Sequence, residues 1–367
     1  MTNKFLTTDV KFDIGNVKIL PAEIVNSKSR QEYNPYNKDG QLPIIISPMY
    51  SSFTLENNHF NHNFDLQLSE LKIPFCYTRN YKVNDGNKLK LLDNNSLYFK
   101  SYSLEEFNEI FANTTTYNIN YYKNNPVNVL IDTANGHLKH LIDSVKRVKD
   151  VFGESVTIMA GNIANPKTYK LYAEAGVDYA RMSVGSGSVC TTSKNTSVFF
   201  PMGSLIHETK QIKEEYGFTT KIVADGGFSN YSDIITGLAL GADYIMIGGI
   251  PSKFLDSDST PYLFKKIPIN NKYISEILYD FNLPLYKRHI GMSTQFIQKK
   301  WGNKKLKTNE GIITFNKVNN NLSNWTVELV HFLRNILSYT DCKNIEELQD
   351  NANLIFVTDI VSNKLKL

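Results

Sequence analysis

A cysteine, Cys190, sits in the run RMSVGSGSVCTTSKNT (181–196), behind Gly185 and Gly187 and directly ahead of two threonines. A structural thiol prefers an apolar wall, and a wall has no need of the backbone freedom that glycines supply. The setting suits a loop that holds a reactive sulfur beside a ligand, the thiolate being the nucleophilic form. The other two cysteines, Cys76 and Cys342, are remote from it and from each other, without zinc spacing. An odd, scattered set of thiols fits a reducing cytosol, where one of them serves as nucleophile.

The elements that must position this loop recur along the chain. Eight β-rich runs are legible: PIIIS (43–47), IPFCYT (73–78), SLYFKSY (96–102), VNVLID (127–132), SVTIMAG (155–161), DYARMSV (178–184), TKIVADGG (220–227) and DYIMIGG (243–249). Several lead into apolar residues at helical spacing, as in GHLKHLIDSVKRVKDVF. In NPKTYKLYAEAG, Asn165 caps, Pro166 opens and Gly176 closes a helix, and Ser232 is the expected cap of the helix after the seventh run. Alternation of this kind predicts a parallel sheet, and eight units predict a closed (β/α)₈ TIM barrel of α/β class. An open doubly wound sheet is the alternative, but ISPMYSSF after the first run is no dinucleotide-binding turn. The expected organisation is one catalytic domain over 1–367: an extension (1–42), the barrel (43–319) and C-terminal helices (320–367). Polar and glycine-rich residues gather just after six of the runs (TRN, DTANG, GN, GSGSVCTT, DGG, GG), where barrel chemistry sits.

Composition narrows the class. With 367 residues, 41% of them apolar and 12% aromatic, the chain supports a large core rather than disorder. No run reaches the roughly 20 apolar residues of a membrane span, and the N-terminus does not read as a signal peptide. A net charge of +4 permits a phosphate ligand without demanding nucleic acid. The expectation is a cytoplasmic enzyme with no membrane and no nucleic-acid partner; KKWGNKK (299–305) reads as a solvated loop over the site.

Four blocks, MAGNIANPKTYKLYAEAGVDY, GSGSVCTT, VADGGFSNYSDIITGLALGADYIMIGG and HIGMST, closely resemble the inosine monophosphate dehydrogenase and guanosine monophosphate reductase family, nearly collinearly from NSKSRQE (26–32) onward. The reductase branch is the closer. Dehydrogenases usually insert paired cystathionine-β-synthase-type modules between the second helix and third strand, where this chain has only NYKVNDGNKLKLLDNN (80–95). They also carry a long flap with an Arg-Tyr pair that activates water; QFIQKKWGNKKLKT (295–308) is short and has no such pair. The resemblance therefore implies NADPH-dependent reductive deamination of GMP, or a related guanine nucleotide, to IMP and ammonia, in a homotetramer.

Carried over residue by residue, Cys190 would attack C2 of the purine, and Thr192 and Glu310 would protonate the departing amine. Asp225 would accept from the ribose diol. Gly226, Gly227, Gly248 and Gly249 would admit the phosphate to backbone N–H groups. Ser188 falls with the substrate-binding set. Met292, Ser293 and Gly311 would lie against the base. Arg79, Asp132, Ala134, Asn135 and Gly136 would face the cofactor, although plain capping fits Asp132, Asn135 and Gly136 equally. A potassium site would use Gly185, Gly187 and Cys190.

Departures from the family pattern are Tyr50 for Asp, Arg79 for Lys, Ser183 for Gly, Ser186 for Pro, Lys307 for Arg and FFPM (199–202) for a GYPQ-like segment. The serines argue against potassium dependence. Two other functions stay open: an IMP dehydrogenase lacking its modules, and an inactive nucleotide-binding barrel acting as sensor or scaffold.

Overall fold

The computed structural model describes residues 9–53, 64–79, 97–112, 116–302, 305–306 and 308–364. The stretch 80–95 and Lys307 lie outside the described residues.

Eight strands close into a barrel in sequence order: β1 (Ile44–Ile46), β2 (Phe75–Tyr77), β3 (Tyr98–Tyr102), β4 (Val127–Asp132), β5 (Val156–Ile163), β6 (Tyr179–Met182), β7 (Lys221–Asp225) and β8 (Tyr244–Ile247). Neighbours run parallel, and β1 pairs with β8 through Ile44–Ile245, Ile45–Met246 and Ile46–Ile247. Seven strands fall within their runs and β5 extends two residues past its own, to Ile163, so the (β/α)₈ barrel is as the sequence implies.

The strands are apolar on both sides because helices cover the outside and side chains fill the inside. Ile44, Ile46, Val129 and Ile131 point out to the helix layer. Ile45, Cys76, Phe99, Leu130, Met159, Tyr179, Val223 and Met246 form the inner cluster. Successive side chains alternate, so the residues two positions on share that inward side: Ser47, Thr78, Ser101, Asp132, Gly161, Arg181, Asp225 and Gly248. Apolar packing thus gives way to a polar ring at the C-terminal mouth. Cys76 belongs to the packed layer, and burial pushes its thiol pKa well up.

The helix signals hold with one correction. Asn165 accepts from the Lys167 N–H, Pro166 opens the helix Pro166–Glu174, and Gly176 follows at φ +86°. The helix after β7 spans Tyr231–Ala239 and is capped by Asn230, which accepts from the Asp233 N–H at 2.9 Å, not by Ser232. Starting earlier brings Tyr231 into the helix, where its ring stacks on Trp325 at 5.7 Å.

Residues after β8 add no barrel strand. They form an antiparallel sheet ordered Ile267–Pro268, Pro261–Leu263, Leu285–Ile290, Ile313–Lys317. In Leu285–Ile290 the alternate residues Leu285, Lys287 and His289 are all buried. The Lys287 ammonium finds three acceptors there: the carbonyls of Leu255 and Ser257 and the Ser257 hydroxyl, at 2.7–3.0 Å. Burial still drives its pKa down to about 7, against the pull of Asp256 and Asp258. The C-terminal helices are Leu322–Thr340 and Ile345–Asn351. Beyond them Leu354–Phe356 pairs antiparallel with Val17–Ile19, tying the N-terminal extension to the tail.

Candidate active site

The loop after β6 is pinned from two sides. Its floor is the turn after β7: Gly226 has φ +90°, and a Cβ there would stand 2.8 Å from Ser186 Oγ and 3.0 Å from Gly187 N. Only glycine fits so close under the cysteine loop. Ser186 Oγ donates to the Asp225 carbonyl at 3.2 Å and lies 2.9 Å from Ser183 Oγ. The two serine departures therefore face each other and fasten the loop. Its roof is the segment 309–312. Cys190 bridges Gly311, the Thr191 N–H donates to the Glu310 carbonyl, and the Ile312 N–H donates to the Val189 carbonyl, both at 3.0 Å. Gly291 joins through its N–H to the Ile312 carbonyl at 3.0 Å. The approach leaves no room for side chains: a Cβ on Gly291 would lie 2.8 Å from Val189 O, and one on Gly311 3.0 Å from Thr294 Cγ2.

This pinning lines up three side chains. Cys190, half-buried, donates its S–H to Thr192 Oγ1 at 3.4 Å, and Thr192 donates to Glu310 Oε2 at 2.7 Å. A thiol proton thus has a two-step path to a carboxylate. Residues 118 positions apart meet as the sequence reading required.

The mouth carries a second network. Arg181, buried, donates from NH1 to Asp132 Oδ1 at 2.8 Å, and from Nε and NH2 to Asp225 Oδ2 at 2.9 and 2.8 Å. Burial opposes its charge, but Asp225 and Asp132 outweigh that and keep the guanidinium firmly protonated. Asn162, which sits at a register shift in β5, adds its amide to Asp225 Oδ2 at 3.2 Å. Bulges commonly re-aim a side chain in this way. Neither Arg181 nor Asn162 was among the expected site residues. Counting two residues on from the inner apolar position of β6 picks out Arg181.

Arg79 donates to the Asp132 carbonyl and lies 4.6 Å above the Trp301 ring, with its Nε only 3.5 Å from Asp132 Oδ2. Arg79 Nε and Trp301 Nε1 are both buried without a hydrogen-bond partner among the described residues. Trp301 is thus a packed ring at the mouth, not the solvated loop residue expected of KKWGNKK. It extends a cluster of Tyr50, Ile290, Met292, Phe296 and Ile297, with the Tyr50 and Phe296 rings edge-on at 5.8 Å. Two deviations from the family pattern, Tyr50 and Arg79, thus meet around Trp301, Tyr50 through its cluster and Arg79 over the ring.

The remaining expected residues divide. A Cβ on Gly249 would lie 3.9 Å from Ser188 Oγ and 3.8 Å from His289 Nε2, while one on Gly227 would have Ser186 O at 3.9 Å as nearest neighbour. Both glycines border room for a ligand. Gly248 instead abuts Ser47, whose Oγ would be 2.5 Å from an added Cβ. His289 joins this side, with Nδ1 3.2 Å from Ser51 Oγ, and burial and Lys253 lower its pKa to about 4. The Ser293 carbonyl accepts from Gln298 Nε2 at 3.1 Å. Gly136 is required by packing, since a Cβ would meet Tyr172 OH at 2.6 Å. Asn135 turns its side chain onto the His137 N–H at 3.0 Å, and it and Ala134 are exposed. Of the cofactor-side set, Arg79 and Asp132 join the central network and Ala134, Asn135 and Gly136 do not.

Two of the loop carbonyls expected around a cation each already accept one hydrogen bond. The Gly185 carbonyl accepts from Ser193 Oγ and the Gly187 carbonyl from the Cys190 N–H, each at 3.0 Å. No group of three or more His, Cys, Asp or Glu side chains that could hold a metal occurs among the described residues. Nor is any helix among them long and apolar enough to cross a membrane.

The sequence profile of the IMP dehydrogenase / GMP reductase domain matches residues 113–363, more than half of the chain. The chain belongs to that family. It is 30% identical over 238 residues to the inosine-5′-monophosphate dehydrogenase of Aquifex aeolicus (strain VF5), covering 63% of this chain and 44% of that one. It is 27% identical over 232 residues to the GMP reductase of Caenorhabditis elegans, covering 63% and 59%. With GMP reductase 2 of Mus musculus the identity is 27% over 236 residues, covering 64% and 62%. The chain spans about half the length of the curated relatives it matches. Relatives of both names occur at similar identity, so family membership leaves the reaction direction to the chemistry of the site.

Proposed function

We propose that the chain is an NADPH-dependent GMP reductase, converting GMP to IMP and ammonia through a covalent bond to Cys190. The observation that carries this reading is the Cys190–Thr192–Glu310 relay, beside a 295–308 sequence with no Arg-Tyr pair.

Loss of its proton along the relay would leave Cys190 as a thiolate able to add to C2 of the purine. The same relay, run backwards, would deliver a proton from Glu310 through Thr192 to the 2-amino group. Ammonia would leave and C2 would stay bound to sulfur. NADPH, when bound, supplies the hydride that C2 then accepts. The C–S bond would break, the electron pair would return to Cys190, and IMP would be released. Asp225 would hold the sugar, and Gly227, Gly249 and Ser188 the phosphate. The buried, unsatisfied donors Arg79 Nε and Trp301 Nε1 fit a polar group of the cofactor beside Asp132.

Oxidation of IMP would require the same sulfur adduct to be hydrolysed by an activated water. Arg79 is a poor base for that step because a guanidinium stays protonated. GMP with NADPH is therefore expected to give IMP and ammonia, and IMP with NAD little or no XMP. Chromatography of both reactions tests this. Robust XMP formation would reverse the direction, and nucleotide binding with neither reaction would favour a sensor or scaffold.

A further inference from the structure

The network at the barrel mouth is lopsided. Arg181 Nε, Arg181 NH2 and Asn162 Nδ2 all donate to one oxygen of Asp225, Oδ2, at 2.9, 2.8 and 3.2 Å. Among the described residues nothing donates to Oδ1. An ionised carboxylate offers about four acceptor positions over its two oxygens, and here the donors of the fold crowd onto one of them. Arg181 cannot swing away, since its NH1 is held by Asp132 at 2.8 Å on the other side. The carboxylate is thus fixed by one oxygen and offers the other.

We infer that Arg181 is a positioning residue for the sugar of the substrate, holding Asp225 by Oδ2 so that Oδ1 receives a ribose hydroxyl. The inference rests on the nucleotide reading above and adds to it a residue that touches no substrate atom itself. Arg181 acts only through Asp225, so its effect depends on whether the ligand has hydroxyls to give. Lysine would keep the charge but lose the fork that spans both carboxylates.

The test is calorimetry of the full chain with GMP and with 2′,3′-dideoxy-GMP, whose phosphate and base are unchanged. Wild type should bind GMP about 10- to 100-fold more tightly than the dideoxy analogue, the range for a hydrogen bond to a charged group. Arg181→Lys should lose most of that advantage, weakening GMP about tenfold or more and the analogue by less than about threefold. Asn162→Ala, which removes one donor from Oδ2 and leaves the ion pairs, should show the same sugar-dependent pattern at about threefold. It carries the test if Arg181→Lys does not fold. Equal losses for both ligands in the folded variants, or no sugar preference in wild type, would overturn the inference and leave the nucleotide site standing. Failure of wild type to bind either ligand would remove both.

Discussion

The two ends of the barrel solve the same electrostatic problem differently. At the N-terminal end Lys221 pairs with Asp39 and lies 5.6 and 5.5 Å from the ring centres of Tyr179 and Tyr244. Tyr244 OH donates to Gln41 Oε1 at 2.9 Å, so residues just ahead of β1 close that end. At the C-terminal end Arg181 is likewise set between acidic partners, but the buried Arg79 Nε and Trp301 Nε1 are left without hydrogen bonds among the described residues. Buried polar groups are normally satisfied. The closed end meets that rule from within, and the open end does not. Incomplete satisfaction, rather than charge alone, separates the mouth of the proposed site from the end that holds the fold.

The largest effect expected at the open end is that of Cys190→Ala. It should lower turnover of GMP by 10³-fold or more, on the order seen for lost nucleophiles. GMP affinity should stay within about tenfold, because the proposed sugar and phosphate contacts lie elsewhere. NADPH absorbance and calorimetry check the two halves, and full activity would remove the covalent route. Glu310→Gln keeps the shape of the relay but cannot pass a proton. It should slow kcat by roughly 100-fold, the lower range for general acid–base catalysis, with little change in affinity. A loss of GMP binding as large as that of Asp225→Ala would show that Glu310 holds the ligand instead.

Acid should strain the open end next. His289 stays neutral in the folded chain down to about pH 4, whereas the unfolded side chain takes up its proton near 6.5. Between those values the unfolded state binds more protons, so this contribution to stability is lost as pH falls from 6.5 toward 4, by about 1.4 kcal/mol per unit at most. Denaturation midpoints of His289→Gln should vary less with pH across that window than those of wild type. Parallel profiles would show that His289 is not the titrating group. The smallest change belongs to the closed end. Tyr244→Phe deletes the hydrogen bond to Gln41 and should cost about 1 kcal/mol of stability with turnover unaltered. A fall in kcat would mean that the two ends are not independent.

The barrel was readable because every strand is a short β-branched or aromatic run, several ending in glycine or acid. The relay was readable because Cys190, Thr192 and Glu310 stand in sequence blocks with a strong family likeness. What escaped has physical reasons. Arg181 lies in DYARMSV, a strand buried on both sides, so neither the polar-out nor the polar-in pattern marks it. Its place emerges only when the inner residue Tyr179 is known and two is added. The antiparallel sheet escaped because its strands are as short as Ile267–Pro268 or, like Ile313–Lys317, partly exposed throughout. The pairing of Val17–Ile19 with Leu354–Phe356 joins residues that no local pattern connects.

The seam joining 189–191, 291 and 310–312 has a consequence for exchange with solvent. The Thr191, Gly291 and Ile312 amides are all committed to backbone carbonyls of another segment in that seam, at 3.0 Å each. None of the three can become accessible without parting two segments, and Ile312 takes part in two of the links. Deuterium uptake at these amides should therefore proceed as one cooperative unit rather than residue by residue. A bound nucleotide that bridges the cysteine loop and the 309–312 segment should slow all three by a common factor. Cys190 and Glu310 would then open and close as a single gate, with one rate.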